Sequence, residues 1–304
     1  MKLKKKMNDD ASVASLRLGA EAGRKFRMGR LLGKGAFGEC YAGTDVETGE
    51  RVAIKIEHVN AKHPQLGYES KIYVHMQGAY GVPKIHHFGR EGDYHVMVVQ
   101  RLRRNLQERM NQVGGRFSMQ TTTRLIVEML HCVEALHQRG IVHRDLKPEN
   151  FMVDERDQVY LIDYGLSKCF RPRNGEHIPF RNDKHLVGTP RYASINNHRG
   201  FEQSCRDDLE SLAYIVVFMM RGALPWMNIK NKSKHGKYQQ ILKCKVHTTV
   251  EELCNSLPYE YCVFLKYAKH LTFDETPNYK FLNNIFSRLL EINRWGRFTY
   301  DWRR

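Results

Sequence analysis

The chain changes texture once, near residue 100, and that change constrains its fold more than any other feature. Before it, short β-like runs at 26–32, 39–44, 51–57, 84–88 and 94–100 alternate with glycine-bearing turns. One helical stretch, at 65–77, interrupts them. After Leu102 helical spacing takes over. Leu125, Ile126, Met129, Leu130, Val133 and Leu136 fall on one face, with Ser118 placed to cap that helix. Further helices are predicted at 205–221, 236–244, 259–270 and 278–290, and brief strands at 151–153 and 159–162. The expectation is an α+β chain: a flexible basic arm over 1–24 with a short helix near 13–22, a small β-rich part over 25–101, and a larger helical part over 102–304. A site in the cleft between two such parts is the default expectation.

With 304 residues the chain is long enough for two cores. Its 41% hydrophobic and 27% charged content argues for a globular protein and against a disordered or membrane chain. The longest apolar stretch, Leu212 to Met220, falls far short of the roughly 20 residues a spanning helix needs. The opening MKLKKKMNDD lacks the apolar region of a secretory signal, and Lys2 stands where myristoylation needs glycine, so no membrane anchor is expected. Seven cysteines without C-x-x-C spacing read as reduced thiols in an intracellular protein, cytoplasmic and/or nuclear. The net charge of +16 favours acidic partners.

Gly33-Lys34-Gly35-Ala36-Phe37-Gly38 is a glycine run of the kind that lets backbone amides approach phosphate closely. A dinucleotide site would need a helix next. Here Glu39-Cys40-Tyr41-Ala42 reads as a strand, which favours a flap over ATP phosphates. Val52-Ala53-Ile54-Lys55 ends in a lysine able to reach the α- and β-phosphates, with Glu69 in the following helix as the carboxylate to hold it. His143-Arg144-Asp145 and Asn150 make an intact H-R-D-x-x-x-x-N. Phosphoryl transfer to a hydroxyl needs an acceptor for the proton, a role that fits Asp145. It also needs oxygen ligands for Mg²⁺, which Asn150 and Asp163 supply. Asp163-Tyr164-Gly165 carries Tyr where Phe is usual, and His143 reads as a packing residue.

These motifs resemble the eukaryotic protein kinases, and Lys147, two residues after Asp145, matches the serine/threonine pattern. The finer resemblance is to the casein kinase 1 family. It is carried by Lys62-His63-Pro64-Gln65-Leu66, Glu69-Ser70-Lys71-Ile72-Tyr73, His177-Ile178-Pro179, Gly188-Thr189-Pro190-Arg191-Tyr192-Ala193-Ser194-Ile195-Asn196, Arg206-Asp207-Asp208-Leu209-Glu210-Ser211 and Leu224-Pro225-Trp226. The resemblance implies a bilobal protein-kinase fold, a small β-rich N-lobe and a larger α-helical C-lobe. It implies ATP and Mg²⁺, and acidic or pre-phosphorylated protein substrates of a monomeric enzyme. Asp145, Lys147 and Asn150 are the implied catalytic residues, with Asn150 and Asp163 on the metal. Leu32, Gly33, Lys34, Gly35, Ala36, Phe37, Gly38, Glu39, Cys40, Lys55, Glu69, Val99, Gln100 and Leu102 are the implied nucleotide contacts. Arg191 and Lys237 match a family site for an anion beside the substrate groove, and Asp208 is expected to brace the catalytic loop.

Several positions depart from that family. Gln100 stands where Glu is usual, Arg103-Arg104-Asn105 where Gly-Pro-Ser is usual, Val99 for Met, Asn228 and Ala213 for glycines. Between Lys168 and Gly188 there is no Ser, Thr or Tyr, so activity without activation-loop phosphorylation is expected. A catalytically dead scaffold would be signalled by loss of Lys55, Asp145, Asn150 or Asp163, and all four are present. No nucleic-acid-binding motif is evident, which leaves nucleic acid as a non-specific side property of the charge.

Overall fold

The structure, a computed structural model, describes residues 26–35, 38–172, 175–293, 295 and 298–304. The expected arm and the helix near 13–22 lie outside the described residues, as do Ala36 and Phe37 of the glycine run. The chain divides into two compact units. One comprises the residues up to Gly78 with Val82–Leu102, and the other Ala79–Gly81 with Arg103–Arg304.

The smaller unit is an antiparallel sheet of β1 (Phe26–Gly35), β2 (Gly38–Asp45), β3 (Arg51–His58), β4 (Ile85–Glu91) and β5 (Tyr94–Gln100), in the order β1-β2-β3-β5-β4, with one helix, α1 (Leu66–His75). Alternation along the strands turns Phe26, Val52, Ile54, Ile56, Val96 and Val98 into a common core. β1 runs past the expected residue 32 because the glycine run itself closes the hairpin, pairing Gly35 with Gly38. β4 is shifted to 85–91 and α1 shortened to 66–75 relative to the sequence expectation. The start of α1 is set by Glu57, a buried carboxylate that accepts the amides of Gln65 at 2.8 Å and Leu66 at 3.2 Å. A carboxylate there satisfies donors that the first helical turn leaves open.

The larger unit holds α2 (Leu106–Gln112), α3 (Met119–Gln138), α4 (Ile195–His198), α5 (Cys205–Arg221), α6 (Lys234–His247), α7 (Val250–Leu253), α8 (Tyr259–His270) and α9 (Tyr279–Ile292). Two small ribbons accompany them: β6 (Arg104–Asn105), β8 (Phe151–Val153) and β9 (Val159–Leu161) in one, β7 (Ile141–Val142) and β10 (Lys168–Cys169) in the other. α5 is buried on every face from Asp207 to Met219, and α3 packs its predicted apolar stripe inward. Ser118 does cap α3, accepting the amide of Thr121 at 3.2 Å. No described helix is long and apolar enough to cross a membrane.

α2 lies in a stretch where no individual helix is predicted, and Asn105 starts it through a capping box. Its side chain accepts the Glu108 amide at 2.8 Å while Glu108 accepts the Asn105 amide at 3.2 Å. α6 starts at Lys234, two residues before the predicted 236, because Ser233 caps it through the Gly236 amide at 3.0 Å, and it runs to His247 rather than 244.

Candidate active site

The H-R-D segment leaves β7 in an unusual backbone: Arg144 has φ 68°, a left-handed conformation that costs a non-glycine residue about 1 kcal/mol. The compensation comes from α5. Asp208, fully enclosed, accepts the amides of His143 at 2.7 Å and Arg144 at 2.9 Å, the bracing expected of it. His137 Nε2 lies 2.9 Å from the same carboxylate, and its Nδ1 meets the Tyr279 hydroxyl. Burial opposes charge on His137, but the Cys205 sulfur and the Asp208 carboxylate outweigh it and push its pKa up to about 10. His143 is buried as a packing residue, its Nε2 3.1 Å from the Ile162 carbonyl and its ring edge-on to Tyr164.

Three donors from two residues converge on the Asp145 carboxylate. Its Oδ1 accepts both the amide and the hydroxyl of Thr189, each at 2.7 Å, and its Oδ2 accepts from Lys147 Nζ at 2.5 Å. The approach of Thr189 depends on Gly188, whose φ is +86° and whose missing Cβ would lie 2.3 Å from the Arg144 carbonyl oxygen and 3.0 Å from Asp145 Oδ1. Asn150, in the 3-10 turn Pro148–Asn150, donates its Nδ2 to the Asp145 carbonyl at 2.9 Å. That commits the amide nitrogen and leaves the amide oxygen as the acceptor of that side chain. Asp163, also left-handed at φ 68°, begins the turn Tyr164–Leu166. The added hydroxyl of Tyr164 is satisfied by the Leu161 carbonyl at 2.8 Å, so the D-Y-G variant buries no orphan donor. Among the described residues no group of three or more His, Cys, Asp or Glu could hold a metal ion.

Sequence reasoning assigned Asp208 a role but not its neighbours on α5. Asp207 accepts the Ser194 hydroxyl at 2.5 Å and the Ser204 amide at 2.8 Å, and burial pushes its pKa up to about 7. Glu210 accepts the Ile195 amide at 3.0 Å and the Tyr214 hydroxyl at 2.6 Å. Three carboxylates close together at the start of a helix that continues as a long apolar run were the available signal, since buried acids need partners. Arg191 lies before α4 with its guanidinium over the rings of Tyr192 and Phe218, while Lys237 is exposed in the first turn of α6.

In the smaller unit Lys55 and Glu69 form an ion pair at 2.6 Å, the glutamate buried on α1. Gly38 is required by its own fold, with φ +142° and a missing Cβ that would meet the Ile56 carbonyl oxygen at 2.2 Å. Gly33 and Gly35 face open space instead. Lys34 and Glu39 tie the hairpin at 2.5 Å, and Tyr41 donates to Glu39 at 2.6 Å. Cys40 pairs with Lys55 across the β2–β3 ladder, and burial raises its thiol pKa. Val99 and Leu102 are buried, Leu32 is partly exposed, and Gln100 accepts the Lys84 amide through its side chain at 3.3 Å. A family model for the protein kinase domain matches residues 26–300 of the chain.

Proposed function

Because this chain belongs to the protein kinase domain family, we propose that it is a serine/threonine kinase of the casein kinase 1 type, acting on acidic or already phosphorylated proteins. As a protein kinase domain it is a phosphotransferase that uses ATP with a divalent metal and takes protein substrates. The observation that carries the serine/threonine reading is the 2.5 Å contact of Lys147 with Asp145, joined on the same carboxylate by Thr189.

A carboxylate offers about four lone-pair positions. In Asp145 two on Oδ1 are taken by Thr189 and one on Oδ2 by Lys147. The remaining position on Oδ2 is the place for the proton of a serine or threonine hydroxyl. Lys147 holds that oxygen in place and retains further N–H groups for the transferred phosphoryl oxygens. Asn150 and Asp163 would hold Mg²⁺, which when bound would neutralise charge on the phosphates. Lys55, fixed by Glu69, is the residue that supports a cationic contact to phosphate in the smaller unit.

Activity without loop phosphorylation is supported by Glu202. Its carboxylate is buried, 2.8 Å from Lys168 and 3.8 Å from Lys184. Backbone bonds from Lys184 to the Gly200 carbonyl and from Glu202 to the Arg181 carbonyl fasten the same segment. A built-in carboxylate thus does the ordering that a phosphate does elsewhere. For substrates, Arg191 and Lys237 are the cations that suit an anionic group near the acceptor.

The test is a peptide array with labelled ATP, comparing serine, threonine and tyrosine acceptors with and without an upstream phosphoserine, and Asp145→Asn as the control. Labelling of serine and threonine, raised by the phosphoserine and lost in the variant, is expected. Tyrosine labelling, or indifference to upstream negative charge, would refute this assignment.

A further inference from the structure

The loop from Gly188 to Ser194 has no regular helix or strand, yet it carries Thr189 and Arg191. Its carbonyls are taken by buried donors. Lys245 Nζ donates to the carbonyls of Pro190, at 3.0 Å, and of Ala193. Trp226 Nε1 donates to the Arg191 carbonyl at 2.7 Å, and His198 Nε2 lies 3.1 Å from that of Pro190. Lys245 is 1% exposed, and its ammonium sits 4.9 Å from the Tyr214 ring and 5.0 Å from that of Trp226. It forms no ion pair among the described residues. Glu210, the acid that acts on it electrostatically, gives its carboxylate to Ile195 and Tyr214.

A buried cation is costly, and a hydrocarbon chain of the same length serves a core as well or better. What a hydrocarbon cannot do is hold two carbonyls of an irregular loop at once. We propose that Lys245, seconded by Trp226, is a positioning residue for substrate binding: its ammonium holds the Pro190 and Ala193 carbonyls and thereby sets the place of Arg191 between them. The same helix carries Lys237 in its first turn, about 12 Å along the axis from Lys245. Lys245 therefore fastens the helix bearing Lys237 to the loop bearing Arg191. Two cations meant for one anion repel each other and cannot set their own spacing. A third residue, bonded to carbonyl oxygens rather than to either cation, sets it for them. The inference deepens the kinase reading and rests on it for its kinetic readout.

The experiment compares the full chain with Lys245→Met and Lys245→Arg by hydrogen exchange over residues 189–194 and by steady-state kinetics with a phosphoserine-primed peptide. In Lys245→Met, exchange in that loop is expected to rise about ten-fold or more, as loss of charge-assisted bonds requires. The peptide KM should rise about ten-fold in step with it, while the ATP KM stays unchanged, and Lys245→Arg should recover part of the loss. Unchanged loop exchange and unchanged peptide KM in a folded Lys245→Met protein overturn the proposal. So does an equal loss in kcat and in both KM values, which marks a general structural defect. Should Lys245→Met not fold, Trp226→Phe keeps an aromatic ring in the core and removes the donor to the Arg191 carbonyl. It must raise the peptide KM in the same direction, and an unaltered value refutes the proposal. If the unmodified chain phosphorylates no peptide, the kinase reading has failed, and the exchange measurement still decides the role of Lys245.

Discussion

The carboxylate of Asp208 lies 2.9 Å from His137 Nε2 and, on its other contacts, carries the backbone of the H-R-D segment. A helix in the middle of the larger unit thus sets the backbone of residues 65 positions earlier in the chain. Asp208→Asn keeps the shape, removes the charge and turns one acceptor into a donor facing an amide. The expected outcome is a loss of about 3 kcal/mol in stability, the usual cost of breaking a buried pair, and a fall in kcat larger than any change in peptide KM. Urea unfolding and steady-state kinetics on the purified variant measure both.

The pH dependence of stability divides between two buried bases. His137 has its pKa raised from 6.5 to about 10, so the stability from its protonated form is full below pH 6.5 and is lost between pH 6.5 and 10. Lys245 has its pKa lowered by burial from 10.5 to about 7, so its charging cost is full below pH 7 and is relieved between pH 7 and 10.5. The opposite slopes flatten the native profile. His137→Gln should unmask a rise in stability from pH 7 to 10, and Lys245→Met a decline over that range. Urea midpoints taken across it give the sign directly.

Gly188→Ala places a methyl group 2.3 Å from the Arg144 carbonyl oxygen at a backbone angle of +86°. Backbone cannot yield cheaply there, so a destabilisation of about 2 kcal/mol or more is expected. The Thr189–Asp145 contact should open, lowering kcat. Gly33→Ala, which meets nothing within 4 Å, is the matched control and should leave the melting temperature unchanged.

Phosphatase treatment should leave activity intact, because the segment ordered by Glu202 has no hydroxyl to phosphorylate between Lys168 and Gly188. Glu202→Gln removes the charge shared by Lys168 and Lys184 and should lower kcat several-fold while mass spectrometry shows no phosphate gained or lost in the segment. Activity that vanishes on dephosphorylation of the unaltered chain would contradict this.

Local patterns in the sequence were sufficient for the regular elements and for the chemistry-bearing types. Residue pattern located α5 and α8 to the residue, the first as a long run buried on every face and the second as a buried face repeated along the helix. α2 was hidden because seven residues give too few repeats, and its signal lay in the Asn105–Glu108 box. The motifs named Asp145, Lys147, Asn150 and Asp163, since phosphoryl chemistry restricts which side chains serve. Tertiary structure alone decided which distant groups meet: Thr189 on Asp145 across 44 residues, Asp208 beneath Arg144 across 64, Lys245 under Pro190 across 55. A helix or strand writes its periodicity into adjacent residues, whereas a buried donor and acceptor brought together by packing leave no mark at any fixed spacing.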